Sequence, residues 1–180
     1  MKLIFIRHGQ TDYNKAKRLQ GQEIDGPLND EGIRQVGNTA TSLPEGITRV
    51  FCSPMLRTRQ SAEIICDILQ KPFELRDEIK EYRCGTLAGK TWPEIIEVTG
   101  DPDVEQKDSA AEFDYSPYGG ESSAEVKERV RKFVDEMRKD FSGDTMLVVS
   151  HGGVIDTMHA LYPRGEKPEN GNAKLHIFEF

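Results

Sequence analysis

The stretch TMLVVSHGGVIDTMHAL, residues 145–161, begins as an uninterrupted apolar run and ends with helical spacing. A run without polar alternation reads as a strand buried on both faces, here Thr145–Ser150. Gly152 and Gly153 break it, and residues 152–161 read as a helix. Such a strand–turn–helix unit belongs to a sheet covered by helices on both sides. The N-terminal stretch MKLIFIRHGQT has the same form. Its strand, Lys2–Arg7, runs into Arg7-His8-Gly9, as the later one runs into Ser150-His151-Gly152.

The chain between these two units alternates in the same way. Asn29 is placed to cap a helix with apolar positions Ile33, Val36, Ala40 and Leu43. Residues 49–53 read as a short second strand, Pro54 as the approach to a helix over 57–69, and 73–76 as a weaker strand. Ser122 and Glu125 have capping-box spacing, and Val126, Val130, Phe133, Val134, Met137 and Phe141 follow as one apolar stripe, which is core packing. Residues 175–180 read as a last strand. The expected fold is α/β: a three-layer α/β/α sandwich with a mostly parallel central sheet, in one domain over residues 1–180. Residues 101–120 lack periodicity and are expected to be an irregular, lid-like insertion over a site.

Composition narrows the function. Hydrophobic residues make up 36% and charged residues 31%, with a formal net charge of -7. No basic face suggests a nucleic-acid partner, and no apolar run approaches the roughly 20 residues of a membrane span. Met1-Lys2 leads straight into a strand-like segment without a signal-peptide layout. Cys52, Cys66 and Cys84 have neither disulfide nor zinc-ligand spacing, and read as small core hydrophobes in a reduced, cytoplasmic protein. A homodimer is compatible with all of this, but oligomeric state is not readable from the sequence.

Ligands of open parallel sheets bind at the carboxyl ends of strands. There the first strand presents His8, the second Ser53 with Arg57 in the next turn, and the late strand His151. Two histidines, two arginines (Arg7 and Arg57) and following helix N-termini make a phosphate pocket, since the planar guanidinium matches phosphate oxygens. His159 and His176 lack that setting and are taken as structural. Arg59, Arg129 and Arg131 are taken as solvated helix faces.

Five stretches, RHGQTDYN, RLQGQEIDGPLNDEG, SPMLRTRQSA, YGGES and VVSHGGVI, resemble motifs of the histidine phosphatase superfamily in its phosphoglycerate-mutase-like branch. The resemblance covers nearly the whole chain. It implies that His8 is the nucleophile, that Arg7, Arg57 and His151 clamp the phosphoryl oxygens, and that Asn14 adds a donor. It implies that Gln20 and Gly21 line the substrate side, that the Gly152 backbone donates to phosphate, and that Glu81 is the proton donor, with Glu78 as the alternative acid. Met55, Ser61, Cys84 and Ala88 depart from the usual pattern. The substrate implied is a small-molecule phosphomonoester, with neither metal nor other cofactor.

This chemistry suits the residues. A nucleophilic imidazole must be neutral, and neighbouring arginines disfavour its protonated form. Its other ring N–H needs a fixed acceptor such as a backbone carbonyl. Two arginines and a cationic His151 would hold the transferred charge without a metal. Phosphatase and mutase share such a site, and a non-catalytic phospho-ligand module is the third reading. Residues 101–120 carry one lysine, Lys107, against six acids, which favours the phosphatase over a mutase that must retain a polyanion. Phe113, Tyr115 and Tyr118 would either cover the non-reacting part of a substrate or pack the loop.

Overall fold

The computed structural model describes residues 1–163, 165 and 167–180. Its sheet has the strand order β3-β2-β4-β1-β5, formed by β1 (Lys2–Arg7), β2 (Arg49–Cys52), β3 (Glu74–Leu75), β4 (Thr145–Ser150) and β5 (Leu175–Glu179). The first four strands are parallel, and β5 pairs antiparallel with β1. The register sets Arg7 opposite Ser150, so His8 and His151 emerge side by side at one sheet edge. That adjacency follows from two strands of equal length ending in the same polar turn.

Helices α1 (Asp12–Lys15), α2 (Asp30–Ala40), α3 (Leu56–Leu69), α4 (Trp92–Thr99), α5 (Val104–Ser109), α6 (Ser123–Asp140) and α7 (Gly152–Leu161) surround the sheet. Alternate strand residues point to opposite faces. Ile4, Ile6, Val50, Leu147 and Val149 pack with Val36, Ala40, Ala62 and Ile65 of α2 and α3. Leu3, Phe5, Phe51, Met146 and Val148 pack with Val130, Phe133 and Met137 of α6 and with Ile155 and Met158 of α7. The chain is thus the expected three-layer sandwich.

Local signals were faithful at most helix ends. Asn29 accepts the Gly32 N–H at 2.9 Å, and Ser122 with Glu125 forms the reciprocal cap of α6; such a cap contributes about 1 kcal/mol. Ile33 departs from expectation: it is 49% exposed, because α2 turns Gly32, Val36 and Ala40 inward. Leu43 lies beyond the end of α2, and Phe141 is the C-cap of α6, not part of its helical stripe. α4 is an element that apolar periodicity misses; its start is signalled by the Thr91–Glu94 capping box and Pro93. Residues 101–120 are more ordered than their composition suggests. They hold α5 and a 3-10 turn at Ser116–Tyr118, anchored by the buried side chains of Val104, Phe113 and Tyr115.

Candidate active site

His8 leaves β1 almost fully buried, and its Nδ1 lies 2.7 Å from the Gly9 carbonyl. A carbonyl only accepts, so Nδ1 carries the proton and Nε2 keeps its lone pair. Arg57 Nε donates to that lone pair at 3.2 Å. Burial, Arg57 and Arg7 together push the His8 pKa well below that of free histidine. The imidazole is therefore neutral and in one tautomer, with Nε2 as its lone-pair nitrogen. The carbonyl acceptor expected from the sequence is Gly9.

Arg57 is fully buried at the start of α3. Its Nη1 and Nη2 donate to the Ile24 and Gly21 carbonyls, each at 3.0 Å, and Asp25 lies 3.6 Å away. Gly21 offers its carbonyl from a left-handed conformation, φ 61°, which glycine adopts without strain. Arg7 donates through Nη1 to the Asn170 carbonyl at 2.6 Å, while its Nε is buried without a protein partner. Asn14 spends its Oδ1 on Thr11, accepting the backbone N–H at 3.1 Å and the hydroxyl at 3.0 Å. That leaves the Asn14 amide nitrogen as a donor on the pocket wall. Gln20 is 6% exposed and also lines the pocket.

His151 is fully buried, its ring centroid 5.3 Å from that of His8. Its Nε2 lies 2.7 Å from Ser53 Oγ, and its Nδ1 has no protein partner. The cationic state expected for it does not fit this setting: burial, Arg57 and His8 hold its pKa well below the ordinary value. A dianion beside it would reverse that electrostatic balance. Gly152 opens α7 and packs on Arg7; a Cβ there would sit 3.3 Å from the guanidinium carbon.

Glu81 approaches from the other side. Its carboxylate accepts the Tyr82 N–H at 3.1 Å and the Gly153 N–H at 3.4 Å. It comes so near residue 153 that a Cβ there would lie 2.6 Å from Oε1, so any larger residue would have to displace the carboxylate or the Tyr82 ring. Burial raises the Glu81 pKa, although Arg57 and Arg7 oppose it. Glu78, the alternative acid, is not on the pocket wall. Burial works against its ionisation, yet Arg76, at 3.3 Å from both of its oxygens, holds it below the ordinary value.

His8, Arg7, Asn14, Gln20, Gly21, Arg57, Glu81 and Gly152 all line one cavity of about 820 Å³. Sequence reasoning missed several of its walls. Asp108 of α5 faces in, bound by the Tyr115 hydroxyl at 2.6 Å, and burial lifts its pKa to about 7. Phe113 and Tyr118 pack the loop, with Phe113 4.7 Å from Tyr115. Lys107 pairs with Asp101 at 2.6 Å, off the pocket wall. Besides Arg7 and Arg57, the cations that line the cavity are Lys17, Arg18 and Lys167, all from outside residues 101–120. A strap after α7 braces His8, with Asn172 Nδ2 donating to the His8 carbonyl at 3.0 Å. Among the described residues no group of three or more His, Cys, Asp or Glu is placed to hold a metal ion, and no helix is long and apolar enough to cross a membrane.

The chain is similar to known proteins over almost its whole length. It is 30% identical over 162 residues to a metal-independent phosphoserine phosphatase of Arabidopsis thaliana, covering 88% of this chain and 67% of that protein. It is 32% identical over 157 residues to a protein of Photorhabdus laumondii named as a probable phosphoglycerate mutase, covering 84% and 70%. Some relatives are longer: the chain spans 41% of a bifunctional protein of Mycobacterium tuberculosis, at 34% identity over 152 residues. Among solved structures, a mycobacterial glucosyl-3-phosphoglycerate phosphatase superposes with a TM-score of 0.79 at 25% identity, covering 98% of this chain and 88% of that one. The model of the histidine phosphatase superfamily, branch 1, matches residues 3–180, and the chain belongs to that family.

Proposed function

We propose that the chain is a phosphatase that hydrolyses small-molecule phosphomonoesters through a phosphohistidine on His8. The observation that carries this is the His8 imidazole itself: proton fixed on Nδ1 by the Gly9 carbonyl, lone pair on Nε2, and arginines on the same side. A substrate phosphate entering the cavity takes the Arg57 Nε donor away from Nε2 and frees the lone pair. Arg7 Nε, His151 Nδ1, the Asn14 amide and the Gly152 N–H supply further donors for oxygens that gain charge in the transition state. Nε2 then bonds to phosphorus as the ester P–O bond breaks. Protonated Glu81 gives its proton to the departing oxygen. The resulting carboxylate takes a proton from water, whose oxygen attacks the phosphohistidine and releases phosphate.

The arginines neutralise the phosphate in this scheme, so activity is expected to survive dialysis against a strong chelator. Loss of activity that only a divalent cation restores would refute this. The pocket side of residues 101–120 favours hydrolysis over mutase chemistry. It contributes the carboxylates Glu105 and Asp108 but no cation, so beyond Arg7 and Arg57 only Lys17, Arg18 and Lys167 on the rest of the wall oppose its repulsion of a bisphosphorylated acid between turnovers. On one preparation, phosphate release from a panel including phosphoserine and sugar phosphates is expected to exceed exchange between 3- and 2-phosphoglycerate, with bisphosphoglycerate as primer. Mutase turnover above every hydrolysis rate would reverse the reading.

Residues 101–120 act as a cover over the cavity within a single domain, a reading supported by Asp108 and Tyr115 reaching its wall. The three cysteines are free and buried, which supports a reduced, cytoplasmic setting. The acidic net charge of -7 supports a small-molecule partner over nucleic acid.

A further inference from the structure

Arg129, expected on a solvated face of α6, is instead 17% exposed at its side chain. Its Nη1 donates to the carbonyls of Glu78 at 2.8 Å and Lys80 at 2.6 Å. Its Nη2 donates to the Glu81 carbonyl at 3.1 Å and to Glu121 Oε2 at 3.2 Å, and Nε donates to Glu121 Oε1 at 3.1 Å. Glu121, 11% exposed at its side chain, continues the grip. Its Oε2 accepts the Arg83 N–H at 2.9 Å and Gln22 Nε2 at 3.2 Å. Gln22 Nε2 also donates to the Glu81 carbonyl at 2.6 Å.

The loop needs such help. Residues 80–84 belong to no helix or strand, so their backbone groups have no ladder and must find partners elsewhere. Only arginine carries enough donors in one rigid plane to hold three carbonyls and a carboxylate together. Net stability is a poor reason for the pair, because desolvation offsets most of the gain from a buried ion pair. What it fixes is the place of the residue between the gripped peptides, and that residue is Glu81.

We propose that Arg129, with Glu121 as its counter-ion, is a positioning residue that sets the Glu81 carboxyl at proton-transfer distance from the leaving group. The proposal rests on the reading of Glu81 as the proton donor. The readout is kcat/KM for 4-nitrophenyl phosphate divided by kcat/KM for benzyl phosphate. The nitrophenolate departs without a proton and the benzyl alkoxide does not, and the fraction of folded enzyme cancels in the ratio. Arg129→Met is expected to raise this ratio about tenfold, part of the roughly 10²–10⁴ that a well-placed general acid supplies. Arg129→Lys should fall between it and the unchanged protein. Glu81→Gln should raise the ratio most, and adding Arg129→Met to it should raise it no further. If Arg129→Met does not fold, Glu121→Gln, of the same shape, gives the same readout. Equal loss on both esters in the Arg129 and Glu121 variants, with Glu81→Gln still selective, would overturn the positioning role alone. An unselective Glu81→Gln would overturn the proton-donor reading, and the proposal with it.

Discussion

His8→Ala is expected to lose phosphate release from every monoester tested by roughly a millionfold, the scale on which removal of a covalent nucleophile acts elsewhere. At 1.36 kcal/mol per tenfold, that corresponds to about 8 kcal/mol of transition-state stabilisation. Acid-labile phosphoryl labelling of the protein should vanish with it, because the neighbouring His151 has its Nε2 engaged by Ser53 Oγ and in this scheme only donates through Nδ1. The same variant carries its own folding control. In the native chain the His8 pKa is held well below that of free histidine by burial and by Arg57 and Arg7, whereas the unfolded chain takes up that proton at about pH 6.5. Below that pH the unfolded state binds more protons, so His8 costs the native protein stability as pH falls. His8→Ala removes this penalty. Its melting temperature relative to the unchanged protein should therefore be higher at pH 5 than at pH 8. Retained turnover or labelling in a folded His8→Ala protein would refute the phosphohistidine.

The parts of the fold legible in the sequence were those written in local chemistry. β1 and β4 are apolar without interruption because both faces are covered, and their bounds match the sequence reading at both ends. The pairing of His8 with His151 was legible for the same reason, since both follow strands that end at one sheet edge. Arg129 shows where such reading stops. On α6 it directly precedes Val130 and flanks the apolar stripe of Val126, Val130 and Phe133, where a charged residue reads as part of a solvated face. The carbonyls it meets belong to a loop about fifty residues away, and no periodicity in α6 encodes them. Ser53 likewise gave no sign that it meets His151 Nε2. Asp108 was counted only as a charge, because which acids of residues 101–120 face inward depends on how Val104, Phe113 and Tyr115 anchor the segment. Glycine near Glu81 was a partial signal. Gly153 looked like a turn residue, but its lack of a side chain is what admits the carboxylate.

Glu81→Gln is expected to lower kcat/KM for alkyl phosphates by roughly 10²–10⁴ and to affect an aryl ester with an acidic leaving group far less. The pH profile assigns the proton more sharply than the rate does. The proposed mechanism needs neutral His8 and protonated Glu81 in the same molecule. The His8 pKa is lowered, so the acid limb of kcat/KM falls well below that of free histidine. The Glu81 pKa is raised by burial, so its acid form persists above the ordinary carboxyl range, and the rate declines as pH climbs through that raised value. In Glu81→Gln the acid limb should remain and the alkaline limb for alkyl esters should disappear. Asp108 is the competing source of that limb, since burial places its pKa at about 7 and it faces the same cavity. The two assignments separate cleanly. An alkaline limb near pH 7 that survives Glu81→Gln and is abolished by Asp108→Asn would make Asp108 the acid and leave Glu81 a bystander. Loss of the limb in Glu81→Gln alone makes Glu81 the donor. In that case Asp108 shares the cavity without giving the proton, and its own raised pKa owes part of its height to the neighbouring Glu81 charge.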